Sequence, residues 1–283
     1  MHHTALPTQP AEPNFKLHRR FDRAARLFGE PAMARLSRAH VAVIGLGGVG
    51  SFTVEGLLRS GIGAVTLIDF DKVCVTNTNR QLHAVHGAVG KSKAMLMAER
   101  ARAINPLAEV NAIEEFYRAD VAEQLVPEGR FDFVVDAIDN IKAKLHLLAR
   151  CVQLRIPVVS SMGAAARLDP TLVRVADLSE THSDAMARDV RKFLKVKYGV
   201  DTSQRTGIQA VFSLERRRDP EPIGYDHEGF QCVCPQGDNE FHTCEKRASI
   251  DGTAAFVTSV FGMTAAGVVV RALAAQAQRP QVR

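Results

Sequence analysis

The stretch HVAVIGLGGVGS, residues 40–51, decides the fold. Its opening HVAVIG (40–45) is an unbroken apolar run, the pattern of a strand covered on both faces rather than one. Gly45-Leu-Gly47-Gly48-Val-Gly50-Ser51 comes at once after it, and VGSFTVEGLLRSG (49–61) then reads as a helix closed by glycine. Glycines let the chain turn tightly and bring its backbone close to a bound group. The N-terminus of the next helix presents unpaired N–H groups and the positive end of its dipole. A strand that runs through such a turn into a helix is therefore built to hold phosphate.

Working outward, the alternation repeats. Strands are expected at AVTLID (64–69), AEVNAIE (108–114), FDFVVDA (131–137) and IPVVSS (156–161), and helices at 91–105 and 141–154. Apolar strands separated by helices of this length give a parallel sheet covered on both faces. The fold class is α/β, a Rossmann-like, doubly wound, mainly parallel sheet with a C-terminal extension. A further helix is expected over about 20–37, marked by Phe21, Leu27, Phe28, Met33 and Leu36. Beyond residue 170, TLVRVADL (171–178) and GIQAVFSLE (207–215) read as strands around a polar helix at 183–198. The organisation expected is a disordered tail (1–18), a nucleotide-binding domain (19–178) and a C-terminal continuation (179–283). That continuation holds a mobile loop over 216–251 and an apolar helix over 252–277.

With 36 Lys and Arg against 31 Asp and Glu, the chain carries a net charge of +5. That mild excess permits a nucleic-acid partner without demanding one. The N-terminal MHHTALPTQPAEPNF lacks the apolar core of a secretory signal, which makes the cytoplasm the expected location. The apolar run at 254–270 falls short of the roughly 20 residues that span a bilayer and contains Ser, Thr and Gly. A core or dimer-interface helix is the expectation there, with no membrane span.

The glycine turn alone fits a nicotinamide-dependent dehydrogenase as well as an ATP enzyme, and Asp69, closing the second strand, stands where a ribose hydroxyl would be held. The residues beyond Asp69 do not suit hydride transfer. Asp69-Phe-Asp71 leads into Asn77-Thr-Asn79-Arg80-Gln81, Lys93 stands at a helix start, and Asp136-Ala-Ile-Asp139-Asn140 closes the fourth strand. Fixed Arg and Lys neutralise a triphosphate, and a carboxylate can hold the Mg²⁺ that bridges its oxygens. These are the needs of an attack on phosphorus, where positioning and charge do most of the work.

Together GLGGVGS, DFD, NTNRQ, the helix lysine before ARAINP and DAIDN resemble the ThiF/MoeB branch of the ubiquitin-activating superfamily. The resemblance implies ATP held by Gly45, Gly47, Gly48, Gly50, Asp69, Asp71, Asn77, Arg80, Gln81 and Lys93. Asp69 would take the ribose, Arg80 and Lys93 the phosphates, and Asp139 the Mg²⁺; Asn77 and Gln81 would shape the site. Arg20-Phe-Asp-Arg23 is similar to an N-terminal segment whose second arginine serves the other subunit. Arg23 would then act in trans, within a homodimer. RLFGEPAM (26–33), SSMGAAARLDPT (160–171) and AVFSLE (210–215) look like the tRNA threonylcarbamoyladenosine dehydratase subfamily. That implies adenylation of the carboxylate of threonylcarbamoyladenosine in tRNA, then intramolecular cyclisation. The alternative acceptor is the C-terminal Gly-Gly of a ubiquitin-like sulfur-carrier protein, whose enzymes usually carry two CxxC pairs that this chain lacks. Arg188, Arg191, Lys192, Lys195 and Lys197 crowd one helix and read either as a tRNA contact or as a solvated face.

Five cysteines in a reducing compartment call for a reading other than disulfides. Cys232, Cys234, His242 and Cys244 could supply four soft zinc ligands, although CxC is an unusual spacing. Free thiols are the commoner reading, and a sulfur-relay role beside a cysteine desulfurase is implied only by relatives. Cys74 and Cys151 read as structural. His83 and His86 flank the NTNRQ segment, where local packing outweighs a nucleotide contact.

Overall fold

A computed structural model describes residues 15–223 and 251–277. The described strands form one seven-stranded sheet in the order β3-β2-β1-β4-β5-β7-β6. These are β1 (His40–Ile44), β2 (Ala64–Ile68), β3 (Glu109–Ile113), β4 (Phe133–Asp136), β5 (Val158–Ser161), β6 (Val173–Asp177) and β7 (Ile208–Ser213). Every neighbouring pair is parallel except β6 with β7. The order of the strands reverses at β1, with β2 and β4 on either side of it, at the point where open sheets of this kind bind ligands.

The helices are α1 (Asp22–Phe28), α2 (Glu30–Leu36), α3 (Gly50–Arg59), α4 (Lys93–Ile104), α5 (Ala122–Leu125), α6 (Ile141–Gln153), α7 (Ala185–Tyr198) and α8 (Ala255–Gln276). Successive strand residues point to opposite faces. Val41 and Val43 accordingly join a core with α2, α3, α4 and α8, while Ala42 and Ile44 join a second core with α5, α6 and α7. Burial on both faces is what the apolar run of 40–45 required.

Two expectations change. The single helix over 20–37 is two, because Gly29 stands at φ +85°, which α-helix excludes, and Pro31 starts a new helix in its first turn. Residues 15–18, placed by the sequence in a disordered tail, are described, and Phe15 and Leu17 pack against the first core. The remainder of that tail, 1–14, lies outside the described residues, as does 224–250 of the expected mobile loop.

Helix α8 is long and apolar enough to cross a membrane by composition alone, but most of its apolar window is buried in the protein. Small residues let it lie against α3. A Cβ added at Gly262 would meet the Val49 carbonyl oxygen at 2.4 Å, and one at Gly56 would meet Ala266 Cβ at 2.7 Å. Gly267, further along α8, faces open space. Replacing Gly262 by Ala should therefore cost about 1–3 kcal/mol through overpacking against backbone. Gly267→Ala should be neutral or stabilise by up to about 1 kcal/mol through helix propensity. Urea denaturation of the two variants checks the contrast.

Candidate functional site

Gly45 ends β1 at φ +88°, and a Cβ there would press on the Ala137 carbonyl oxygen at 2.6 Å. At Gly50 the added atom would lie 1.8 Å from the Gly45 carbonyl oxygen. Only glycine fits either place, so the turn brings the start of α3 directly over the ends of β1 and β4. Gly47 and Gly48 line the open side of this turn. Their neighbours are Gln81 and Arg80: Gln81 Nε2 stands 3.8 Å from a Cβ built at Gly47, and Arg80 Cγ 3.3 Å from one built at Gly48.

Asp69 extends β2 and does more than await a ribose. Its Oδ2 accepts the Leu46 amide at 2.6 Å, inside the glycine turn, and its Oδ1 accepts the Asp71 amide at 2.8 Å. The carboxylate thus braces the turn from below while keeping acceptor capacity for a further donor. Asp71 Oδ2 holds Lys93 Nζ at 2.8 Å, and Lys93 is 6% exposed. Lys93 is the first residue of α4, whose N-cap Ser92 accepts the Met95 amide at 3.3 Å. Burial alone would lower the Lys93 ammonium, but Asp69 and Asp71 outweigh it and hold its pKa above the ordinary value, with a smaller contribution from Asp139. Burial pushes the Asp69 carboxyl upward, against the pull of Lys93. A cation fixed beside two carboxylates next to the glycine turn is a preplaced charge of the kind that suits phosphate.

The NTNRQ segment leaves a short 3-10 turn, Val75–Asn77, and continues as a further turn. Asn77 Oδ1 accepts the Cys74 amide at 3.0 Å, so Asn77 shapes the turn from within. Arg80 is half-buried on the turn, with Nη1 on the Thr76 carbonyl at 3.0 Å and Asn79 Oδ1 at 2.9 Å. Asn79 Nδ2 in turn reaches the Thr253 carbonyl at 2.9 Å, tying the turn to the approach to α8. Gln81 is buried, and its Oε1 has no hydrogen-bond partner. An orphaned acceptor beside the glycine turn fits the hydroxyl and amino donors of a nucleoside.

Asp139 is exposed just beyond β4, and Asn140 caps α6 by accepting the Lys142 and Ala143 amides at 3.0 and 3.1 Å. Among the described residues no three metal-ligating side chains converge. Mg²⁺ needs no such cluster, since one or two carboxylates and the oxygens of a bound phosphate hold it. The donor set at Asp139 fits that use.

Arg23 is the one candidate that the single chain does not bring in. It lies exposed on α1, whose neighbour Phe21 packs by Gly61 and whose neighbour Arg20 bonds the Ile104 carbonyl at 2.7 Å. Those contacts mark the amino edge of the sheet, about 17 Å from the glycine turn for strands of five residues. The candidate zinc and sulfur-relay group, Cys232, Cys234, His242 and Cys244, lies outside the described residues. Cys74 and Cys151 are both buried, and burial pushes the Cys151 thiol up to about 12, which leaves it unreactive. On the basic helix, now α7, Arg191 is engaged internally with the Thr181 carbonyl at 2.8 Å, so the solvated face belongs to its neighbours.

Three groups carry structure that the sequence motifs did not reveal. Lys144 is fully buried, with Nζ on Asp136 Oδ2 at 2.6 Å, the Ser161 carbonyl at 3.0 Å and Ser160 Oγ at 3.3 Å. Eight residues separate Lys144 from Asp136, a spacing with no meaning until α6 folds back over β4. Arg167 and His83 are the others, both buried with unpartnered nitrogens.

A model of the ThiF family matches residues 21–283. The chain is similar to the tRNA threonylcarbamoyladenosine dehydratase of Escherichia coli, 40% identical over 267 residues, covering 92% of this chain and 95% of that protein. The enzyme of the same description from Bacillus subtilis is 40% identical over 250 residues, covering 88% and 92%. The crystal structure of the Escherichia coli tRNA N6-threonylcarbamoyladenosine dehydratase in complex with ATP superposes with a TM-score of 0.77. That pair is 38% identical over 92% of this chain and 96% of that one.

His83 supplies a pH test of the site's packing. Burial, helped by the charge of Lys93, lowers its pKa from 6.5 to about 4. The unfolded chain therefore binds a proton that the folded chain refuses between those values, so stability falls as pH drops from 6.5 towards 4. The full span corresponds to about 3 kcal/mol at roughly 1.36 kcal/mol per unit. His83→Gln should flatten that part of the stability–pH curve, read from urea midpoints at about pH 7 and pH 4.5. Parallel curves for the two proteins would contradict it.

Proposed function

The chain belongs to the ThiF family, and from that footing we propose that it uses ATP to cyclise threonylcarbamoyladenosine in tRNA. One oxygen of the threonyl carboxylate attacks the α-phosphorus of ATP, and pyrophosphate leaves. The carbamoyl nitrogen or oxygen of the same side chain then attacks the acyl carbon of the mixed anhydride, and AMP departs. The nucleoside loses one water in sum. No enzyme thiol has to carry the acyl group, because the nucleophile is tethered to its target and proximity replaces a covalent intermediate.

The observation that carries this reading is the glycine turn with Lys93, Asp71 and Asp69 at its mouth, in a chain alike over nearly its whole length to the tRNA threonylcarbamoyladenosine dehydratases. In the proposed assignment Gly45, Gly47, Gly48 and Gly50 receive the phosphates. Lys93 and Arg80 neutralise them, Asp69 takes the ribose with its remaining lone pairs, and Gln81 accepts a donor of the nucleoside. Asp139 would hold Mg²⁺, which supplies charge neutralisation across the phosphate oxygens. Arg23 fits a role in trans: its helix stands at the far edge of its own sheet, so a homodimer that brings two chains together is the arrangement in which it meets a triphosphate.

The test is direct. Incubated with ATP, Mg²⁺ and tRNA bearing threonylcarbamoyladenosine, the protein should release AMP and pyrophosphate, and the digested nucleoside should be lighter by one water in mass spectrometry. Arg80→Ala and Asp139→Asn should each lower that rate by about 10²–10³, and Asp139→Asn, at an exposed position, should leave the denaturation midpoint unchanged. An unchanged nucleoside, together with adenylation of a carrier protein's Gly-Gly terminus, would place the acceptor elsewhere.

A further inference from the structure

Arg167 is 5% exposed, and its Nε and Nη1 have no hydrogen-bond partner. Its nearest counter-charge among the described residues, Asp184 Oδ2, stands 3.7 Å from Nη2, beyond hydrogen-bonding reach. Asp184 is itself occupied. It caps α7 by accepting the Ala187 amide at 2.9 Å through Oδ1, and it accepts the Gly163 amide at 3.2 Å through Oδ2. The guanidinium is therefore held in the interior with most of its donor fork unanswered, which a fold tolerates only where something else answers it. It also stands beside the positive end of α7, where a cation gains nothing from the helix and an anion would gain from both.

The chain around it is clamped on both sides. Ala166 donates its amide to the Gly252 carbonyl at 2.8 Å and accepts the Arg218 amide at 3.0 Å; the Leu168 and Asp169 amides both reach Glu215 Oε2, at 2.9 and 2.8 Å. Ala166 itself sits at φ +59°, a left-handed conformation that costs a Cβ-bearing residue energy and collects at binding sites. The place is the same ligand edge of the sheet. Asp184 lies against Gly163, directly beyond β5, and β5 is two strands, about 10 Å, from β1 and its glycine turn. Gly252, which anchors Ala166, adjoins Thr253, which anchors the turn carrying Arg80.

We propose that Arg167 is the residue that recognises the substrate's carboxylate, reading it as a planar two-oxygen anion. This rests on the adenylation reading above and names the group that presents the acceptor to ATP. A guanidinium fork matches a carboxylate with two parallel N–H···O bonds, which an ammonium cannot do. In the chemistry proposed, one carboxylate oxygen forms the bond to the α-phosphorus. The other becomes the acyl carbonyl oxygen and takes up negative charge when the carbamoyl group attacks, until AMP leaves. Arg167 on that second oxygen would serve both steps.

The experiment compares binding, without ATP, of two tRNAs that differ only in carrying threonylcarbamoyladenosine or plain adenosine. Their backbone phosphates are the same, and only the first has the carboxylate. Wild type should prefer the modified tRNA by about tenfold or more, as hydrogen bonds to a charged group warrant. Arg167→Gln should erase the preference, with affinity for plain tRNA and for ATP unchanged; Arg167→Lys should retain only part of it and raise KM for the modified tRNA more than it lowers kcat. A preference kept in full by Arg167→Gln overturns the proposal. So does equal weakening of both tRNAs, which would assign Arg167 to backbone phosphate. If Arg167→Gln does not fold, as judged by loss of the ATP-induced rise in melting temperature, Arg167→Lys decides by the same readout. Absence of any preference in the wild type overturns the proposal too, and AMP release with the modified tRNA then tells whether the substrate reading falls with it.

Discussion

The approach of Gly50 to the carbonyl of Gly45 sets the geometry on which the rest of the molecule depends. At 1.8 Å from any Cβ, that contact leaves no room for a side chain, and it aims the N-terminus of α3 at the crevice between β1 and β4. Helix α3 in turn needs α8 to approach equally closely, through Gly56 and Gly262, so the C-terminal helix acts as the outer wall of the phosphate turn. A change far along the chain, on α8, is thereby felt at the site. Asp69 completes the arrangement from the other side by taking the Leu46 amide, which fixes the turn before any ligand arrives. Preformed donors need no reorganisation when charge is transferred, and that is where their catalytic value lies.

The charges at this edge fall into two kinds. Lys144 with Asp136 is a sealed pair, completed by Ser160 and the Ser161 carbonyl and closed to solvent. Losing either partner of such a pair typically costs about 3–5 kcal/mol, although the intact pair adds little over an apolar replacement. Its use is to pin α6 to the ends of β4 and β5, which carry Asp139 and the Gly163 loop. Lys93 with Asp71 and Asp69 is of the other kind, satisfied at present but open towards the glycine turn. An anion arriving there would meet an ammonium whose proton is held firmly by its neighbours. Arg167, with its fork unanswered, lies further towards the open kind.

Much of this was legible in the sequence. The succession of strands along the chain came from the apolar runs and their helical spacers, and the described strands lie within the ranges expected. Asp69, Asp71, Asn77, Arg80, Gln81, Lys93 and the glycines converge on one edge as the motif order implied, because their segments leave the carboxyl ends of β1 and β2. Whatever depends on contacts between distant segments was not legible. Lys144 reads as an ordinary helix lysine until β5 supplies Ser160 and Ser161. Arg167 reads as one basic residue in a small-residue stretch until Asp184 arrives from α7. Gly29 was overridden by the apolar periodicity on both sides of it, which continues across a break that only its φ reveals. Nor does Asp69 disclose that its carboxylate braces the turn, since the partner is a backbone amide and amides have no sequence signature.

The division of labour across the sheet comes from these placements. From β2 to β1 the edge is lined by backbone amides, Lys93 and Arg80, groups whose charge suits phosphate. From β4 to β5 the lining changes to Asp139, the Gly163 loop and Arg167, where the proposed reading places the planar carboxylate. An adenylating site must bring a phosphate and a carboxylate, both negative, to within bonding distance, and their mutual repulsion works against the encounter. Cations on both flanks, each held by its own segment of chain, offset that repulsion without neutralising either reactant by proton transfer. Carboxylates beside the cations then serve a purpose that stability alone would not explain. Asp71 holds Lys93 in place at 2.8 Å, and Asp184, at 3.7 Å from Arg167, offers a looser counter-charge.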